Sequence, residues 1–150
     1  GDVDAIWRGG DSKAFVDAVK EAGTTHNLPE DWLNDGVSMF TAGHEKFLMA
    51  RAYPSAEEQH LRVFAASPEY ILAMKILSMR DPWNSFQDDR PDIEELLVEM
   101  KLQDCSKILE LVHSFYPEEL PSRNITILKK DILPNVERRL SPIPEISLNE

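Results

Sequence analysis

The chain has 150 residues, 42% of them hydrophobic, enough to bury one sizeable core and too few to suggest two. No apolar run approaches the roughly 20 residues that cross a bilayer, so a helical membrane span is excluded. Twenty-seven acids against 16 bases give a formal charge of −11, which repels polyanions and argues against extended DNA or other nucleic-acid binding; the pairs Lys129-Lys130 and Arg138-Arg139 read as solvated helix faces.

At the start, Asp2-Val3-Asp4-Ala5-Ile6-Trp7 alternates polar and apolar residues before Gly9-Gly10, the pattern of a half-buried strand ending in a turn. Asp11 or Ser12 then caps a helix whose Phe15, Val16 and Val19 share a face, with Gly23 as its stop. Residues 27–40, carrying Pro29, Trp32, Leu33, Val37 and Phe40, read as short helical turns. Residues 47–53 and 61–65 read as strands, the second because Leu61, Val63 and Ala65 alternate with Arg62 and Phe64. Ser67-Pro68-Glu69 is a strong helix start: a hydroxyl at the cap, proline at the first position and an acid in the first turn, for a helix to about Arg80.

A polar loop over residues 81–90 leads into a helix carrying Ile93, Leu96, Leu97 and Met100. Ile108, Leu111, Val112 and Phe115 define another, ended by Pro117, and Ile125, Leu128 and Ile132 a last one. Pro134, Pro142 and Pro144 mark residues 134–150 as a tail. Strands early and helices late predict an α+β fold, one domain over residues 1–133, without internal repeats.

Three features could carry chemistry. Residues two apart on a strand point the same way, so Asp2 and Asp4 offer paired carboxylates suited to Mg²⁺, which prefers hard oxygen ligands. Lys75 lies among Ile71, Leu72, Ala73, Met74, Ile76, Leu77 and Met79 on a helix apolar almost all round. Its ammonium must snorkel to water or meet an anion, a phosphate or a carboxylate. Asp88-Asp89-Arg90-Pro91-Asp92-Ile93 is an acidic helix start, with Asp89 as cap and Asp92 three residues on resembling a capping box.

Other candidates read as structural. Cys105 has no thiol partner and suits a small core residue in a reducing cytosol, which makes a cytoplasmic location the expectation. His26, His44, His60 and His113 lack metal-ligand spacing, and Trp7, Trp32 and Trp83 read as packing residues.

The order Asp-x-Asp, strand, Ser67-Pro68-Glu69-Tyr70-Ile71-Leu72-Ala73-Met74-Lys75, then Asp89-x-x-Asp92-Ile93 resembles the minimal nucleotidyltransferases related to the AbiEii abortive-infection toxins. The resemblance covers roughly residues 2–100 and is most specific over residues 61–75. It implies a nucleotidyltransferase-like small mixed sheet followed by a helical C-terminal half. Asp2 and Asp4 would hold Mg²⁺ or Mn²⁺, Lys75 would contact a nucleoside triphosphate (NTP), and either Asp89 or Asp92 would be the later catalytic acid. The implied activity is a transferase that moves a nucleotidyl group to a protein or RNA acceptor, in a toxin-antitoxin setting with an antitoxin or a second copy as partner.

Family members carry a Gly-Gly-Ser/Thr phosphate-gripping turn ahead of the aspartates. Here Gly9-Gly10-Asp11-Ser12 follows them, so the expectation is a shortened chain or lost activity. The second reading is a non-catalytic interaction module, its exposed strand edge covered by a partner.

Overall fold

A computed structural model describes residues 3–42, 47–83, 87–118 and 120–141 of an α+β chain. Asp2, His44 and the end of the expected tail, residues 142–150, lie outside the described residues. The chain divides into two compact units, Gly1–Thr41 and Ala42–Glu150.

The first unit is a β–α–β arrangement. Strand β1 (Val3–Asp4) leads through Gly9-Gly10 to helix α1 (Ser12–His26), and β2 (Leu33–Asn34) returns parallel to β1 in the register Val3 to Leu33 and Asp4 to Asn34. The Asp11 carboxylate caps α1 by accepting from the amides of Lys13 (2.9 Å) and Ala14 (3.1 Å). Trp7 stacks on Phe15, ring centroids 4.1 Å apart.

Two expectations are corrected here. Gly23 does not stop α1, which ends at Asn27 in the left-handed region (φ 52°). Gly23 is instead buried inside the helix because the Trp32 indole passes over it: a Cβ there would lie 3.0 Å from Nε1, which donates to the Val19 carbonyl at 3.2 Å. Residues 33–34, expected in helical turns, form a strand, since two residues are too few to show a period of two.

The second unit opens on an antiparallel hairpin, β3 (Phe47–Pro54) and β4 (Gln59–Ala66). The expected single mixed sheet is therefore two separate two-stranded sheets among the described residues, one parallel and one antiparallel. The alternation in β4 does not mark a buried face: Leu61 is 38% exposed, Val63 41% and Phe64 48%.

Helices carry the core. Ser67 caps α2 (Pro68–Ser78) through the Tyr70 amide, and Asp104 caps α4 (Cys105–Phe115), while α3 (Arg90–Glu99) runs between them in sequence. Tyr70, Leu72 and Ile76 of α2 pack in one cluster with Ile93, Leu97, Ile108, Val112 and Phe115. Each such side chain, taken fully out of water, contributes about 1.5–3 kcal/mol. The Tyr70 hydroxyl, buried with its ring, accepts from the Ala42 amide at 2.9 Å.

The fold also runs past the expected boundary at residue 133. Helix α5 (Ser122–Ile127) passes through a π turn over Leu128–Ile132 into α6 (Leu133–Leu140), where Val136 is fully buried. Pro134 does not end the helix. It follows a turn in which the Leu133 amide reaches back five residues to the Leu128 carbonyl, and that extra residue makes room for the proline ring. No helix among the described residues is long and apolar enough to cross a membrane.

Candidate functional site

The second unit gathers three of the expected residues where α2 meets α3. Lys75 projects from the rim of the buried face of α2, its side chain 32% exposed, and its Nζ lies 2.8 Å from Asp92 Oδ2 in the first turn of α3. That position suits a carboxylate, because the helix N-terminus carries partial positive charge. Of the two acids left open by the sequence, Asp92 is the one that meets Lys75, and it remains 65% exposed.

Asp89 is placed differently. It is buried, accepts from Arg80 Nε at 3.0 Å and from the Arg80 amide at 2.9 Å, and forms a second side-chain contact with Nη2. The expected capping box is not formed: the Asp89 side chain makes no cap hydrogen bond, and α3 begins on its backbone carbonyl, which accepts from the Ile93 amide. A charge-assisted fork outcompetes a single backbone cap. Hydrogen bonds from Arg80 hold the Asp89 carboxyl below the usual range, burial opposes them, and the charge of Lys75 adds a smaller lowering. Asp88 forms its own fork with Arg90, which lowers its carboxyl in the same way.

The end of α2 is clamped from α5. Asn124, fully buried, donates from Nδ2 to the Ile76 (2.8 Å) and Leu77 (3.0 Å) carbonyls, and Arg123 donates to the Met79 carbonyl at 2.8 Å. These bonds satisfy acceptors that the helix end leaves over and fix where Arg80 leaves it. Sequence reasoning missed both residues, although Asn124 stands one turn before Ile127 and Leu128 on an apolar stripe, where a polar side chain signals a buried partner.

In the first unit, Asp4 is exposed at the carboxyl end of β1, the end of a parallel strand at which α/β units place ligands. Its register partner Asn34 stands at the carboxyl end of β2, and the Ala5 amide donates to the Asn34 carbonyl at 2.8 Å. The Asn34 Oδ1 accepts from the Gly36 amide at 2.8 Å. A Cβ on Gly36 would lie 2.9 Å from Asn34 Oδ1 and 3.5 Å from Asp4 Oδ1, so a larger residue there would make the asparagine side chain shift.

Asp4 is a hard oxygen donor of the kind Mg²⁺ and Mn²⁺ take. No cage of three or more His, Cys, Asp or Glu side chains is found among the described residues. Gly9-Gly10 turns into α1 with φ of 80° and 74°, but the Asp11 carboxylate already takes the first amides of that helix, so this turn does not offer them to a phosphate.

The remaining candidates act locally. Trp7 and Trp32 pack within the first unit, Trp83 is 69% exposed with Arg90 over its ring, and His60 meets Glu58 at 3.2 Å. Cys105 is half-buried against the helical core. Comparison of the chain with protein-family models, with curated proteins and with solved structures yields no match.

Proposed function

We propose that this chain serves metal-dependent transfer of a nucleotidyl group from an NTP to a hydroxyl on a protein or RNA, as one component of a toxin-antitoxin pair. The motif order described above suggests the reaction, and the observation that carries it is Asp4, exposed at the carboxyl end of β1 and paired in register with Asn34.

Mg²⁺ or Mn²⁺, when bound, would neutralise triphosphate charge and polarise the phosphorus-oxygen bonds. Asp4 would hold the cation, with Asp2 two residues earlier as the expected second carboxylate. In the second unit, Lys75, its ammonium oriented by Asp92, is the residue that the resemblance implies for contact with phosphate charge. In the transfer the acceptor oxygen bonds to the α-phosphorus, the bond to the bridging oxygen breaks and pyrophosphate leaves, while a carboxylate takes the hydroxyl proton. Asp89, already forked by Arg80, would hold the α2–α3 frame and not touch substrate.

The test is incubation of the protein with each NTP labelled at the α-phosphate, Mg²⁺ and a mixture of RNA or protein acceptors. Label should move to an acceptor with the wild type and fall at least about a hundredfold in Asp4→Ala, the scale on which lost electrostatic stabilisation acts. Transfer that survives Asp4→Ala unchanged contradicts the assignment.

One observation favours a second reading, the non-catalytic interaction module. Tyr53, Leu61, Val63 and Phe64 are all exposed on the β3–β4 hairpin, whose two strands pair only with each other among the described residues, leaving a row of backbone donors and acceptors for a partner strand. On that reading no NTP binds and no label moves.

A further inference from the structure

We infer that the outer edge of β4 receives an extended strand of a partner protein in which apolar and acidic residues alternate. The inference rests on the second reading above for the pairing itself, adds the edge and the partner's chemistry, and does not depend on NTP binding.

The backbone selects the edge. A ribbon of two strands is marginal alone in water, and this one exposes apolar side chains on both faces, Leu61 and Val63 on one and Phe64 on the other. Of its two outer edges, that of β3 is blunted. Its pairing skips Ala50 between Met49 and Arg51, and Pro54 at its end has no amide to donate. In β4, residues 61–66 are all paired one after another and include no proline or glycine, so β4 offers the longer regular row of outward amides and carbonyls.

Charge selects the partner. The chain holds 27 acids, yet neither strand contains one, and between them the strands carry Arg51 and Arg62. Both arginines are exposed. Arg51 lies over the Tyr53 ring at 5.5 Å and Arg62 over the Phe64 ring at 5.9 Å, and neither meets a carboxylate among the described residues. Arg62 leaves β4 on the face opposite Leu61 and Val63. A strand laid along β4 therefore meets apolar side chains on one face of the ribbon and a cation on the other, which alternating apolar and acidic residues match. A second copy pairing β4 to β4 would bring no acid to Arg62, and the chain's charge of −11 repels RNA.

The probes are short labelled peptides in which valine alternates with glutamate or with lysine, their binding to the full chain followed by fluorescence anisotropy. The glutamate peptide should bind wild type about tenfold more tightly than the lysine peptide, and Arg62→Glu should reverse that order. Arg51→Glu, one strand further from the edge, should change the affinity for the glutamate peptide by less than about threefold. N-methylation of one alternate set of peptide amides should abolish binding, and of the other set should leave it, because only one set faces β4.

Equal affinity for the two peptides, or an order that Arg51→Glu reverses and Arg62→Glu does not, overturns the assignment to β4 while leaving a partner strand in place. Binding indifferent to N-methylation, or no binding of either peptide at about millimolar concentration, overturns the partner strand itself. Tighter binding of a single-stranded oligoribonucleotide overturns the inference in favour of RNA, and a wild-type dimer whose β4 amides are protected from hydrogen exchange overturns it in favour of a second copy. Circular dichroism of each variant confirms that it is folded.

Discussion

The helical part of the second unit and the β–α–β first unit differ in how much side chain they take out of water. Among the described residues of the first unit only Gly23 is buried, whereas α2 alone buries Tyr70, Leu72, Ala73 and Ile76. The helices keep their polar groups in closed pairs: Asn124 on the end of α2, Asp89 in the fork of Arg80. The first unit leaves Asp4 exposed and Asn34 half-buried, on strands only two residues long. Residues that hold a fold together are best placed where water is absent, and those that meet a charged ligand where water can be exchanged for it.

That contrast can be broken most forcefully in the core. Leu72→Ala should cost about 3–4 kcal/mol, since Leu72 is fully buried and the helices around it cannot close the cavity. Val16→Ala, at a position 47% exposed on α1, should stay within about 0.5 kcal/mol. Urea melts of the two variants check the pair, and similar losses would erase the distinction.

Next comes the clamp on α2. Asn124→Ala leaves the Ile76 and Leu77 carbonyls without their partner and should cost about 2–3 kcal/mol in the same melts.

Asp89 sharpens the comparison through pH. Its carboxyl is held below the ordinary carboxylate range, chiefly by Arg80. The stability this confers is therefore fully present above the unfolded-state value, about pH 4, and is lost as pH falls through the depressed folded value. Asp89→Asn should cost about 2 kcal/mol at pH 7, less than a fully buried pair because Arg80 is half exposed, and its deficit should shrink as the pH is lowered below 4. Thermal melts from pH 2 to 7 measure it, and a deficit independent of pH would contradict the role given to the fork.

Asp92→Ala closes the series. The Lys75 pair is largely exposed, so its loss should change stability by less than about 1 kcal/mol while weakening NTP binding, as read in melts and titrations of the same protein.

Much of this was legible in the sequence, and the misses have physical causes. Ser67-Pro68-Glu69 announced α2 because capping is local chemistry, and Lys75 stood out because an ammonium on an apolar helix needs an anion. The π turn before Pro134 was not legible, since proline alone reads as a stop and the extra residue that relieves it has no side-chain signature. The exposed hairpin was not either: alternation in β4 shows that two faces differ in composition, not that one of them is covered. The pairing of Asn34 with Asp4, thirty residues away, carried no signal, because the two strands are too short to show a period. Asp89 and Asp92, alike in sequence, were separated only when Arg80 and Lys75 took one each.

The most direct measurement is calorimetric titration of Mg²⁺ with each NTP into the full-length protein and into Asp4→Ala. The account predicts Mg²⁺-dependent binding of at least one NTP to the wild type and binding about tenfold or more weaker in the variant. Equal affinity in the two proteins would contradict it.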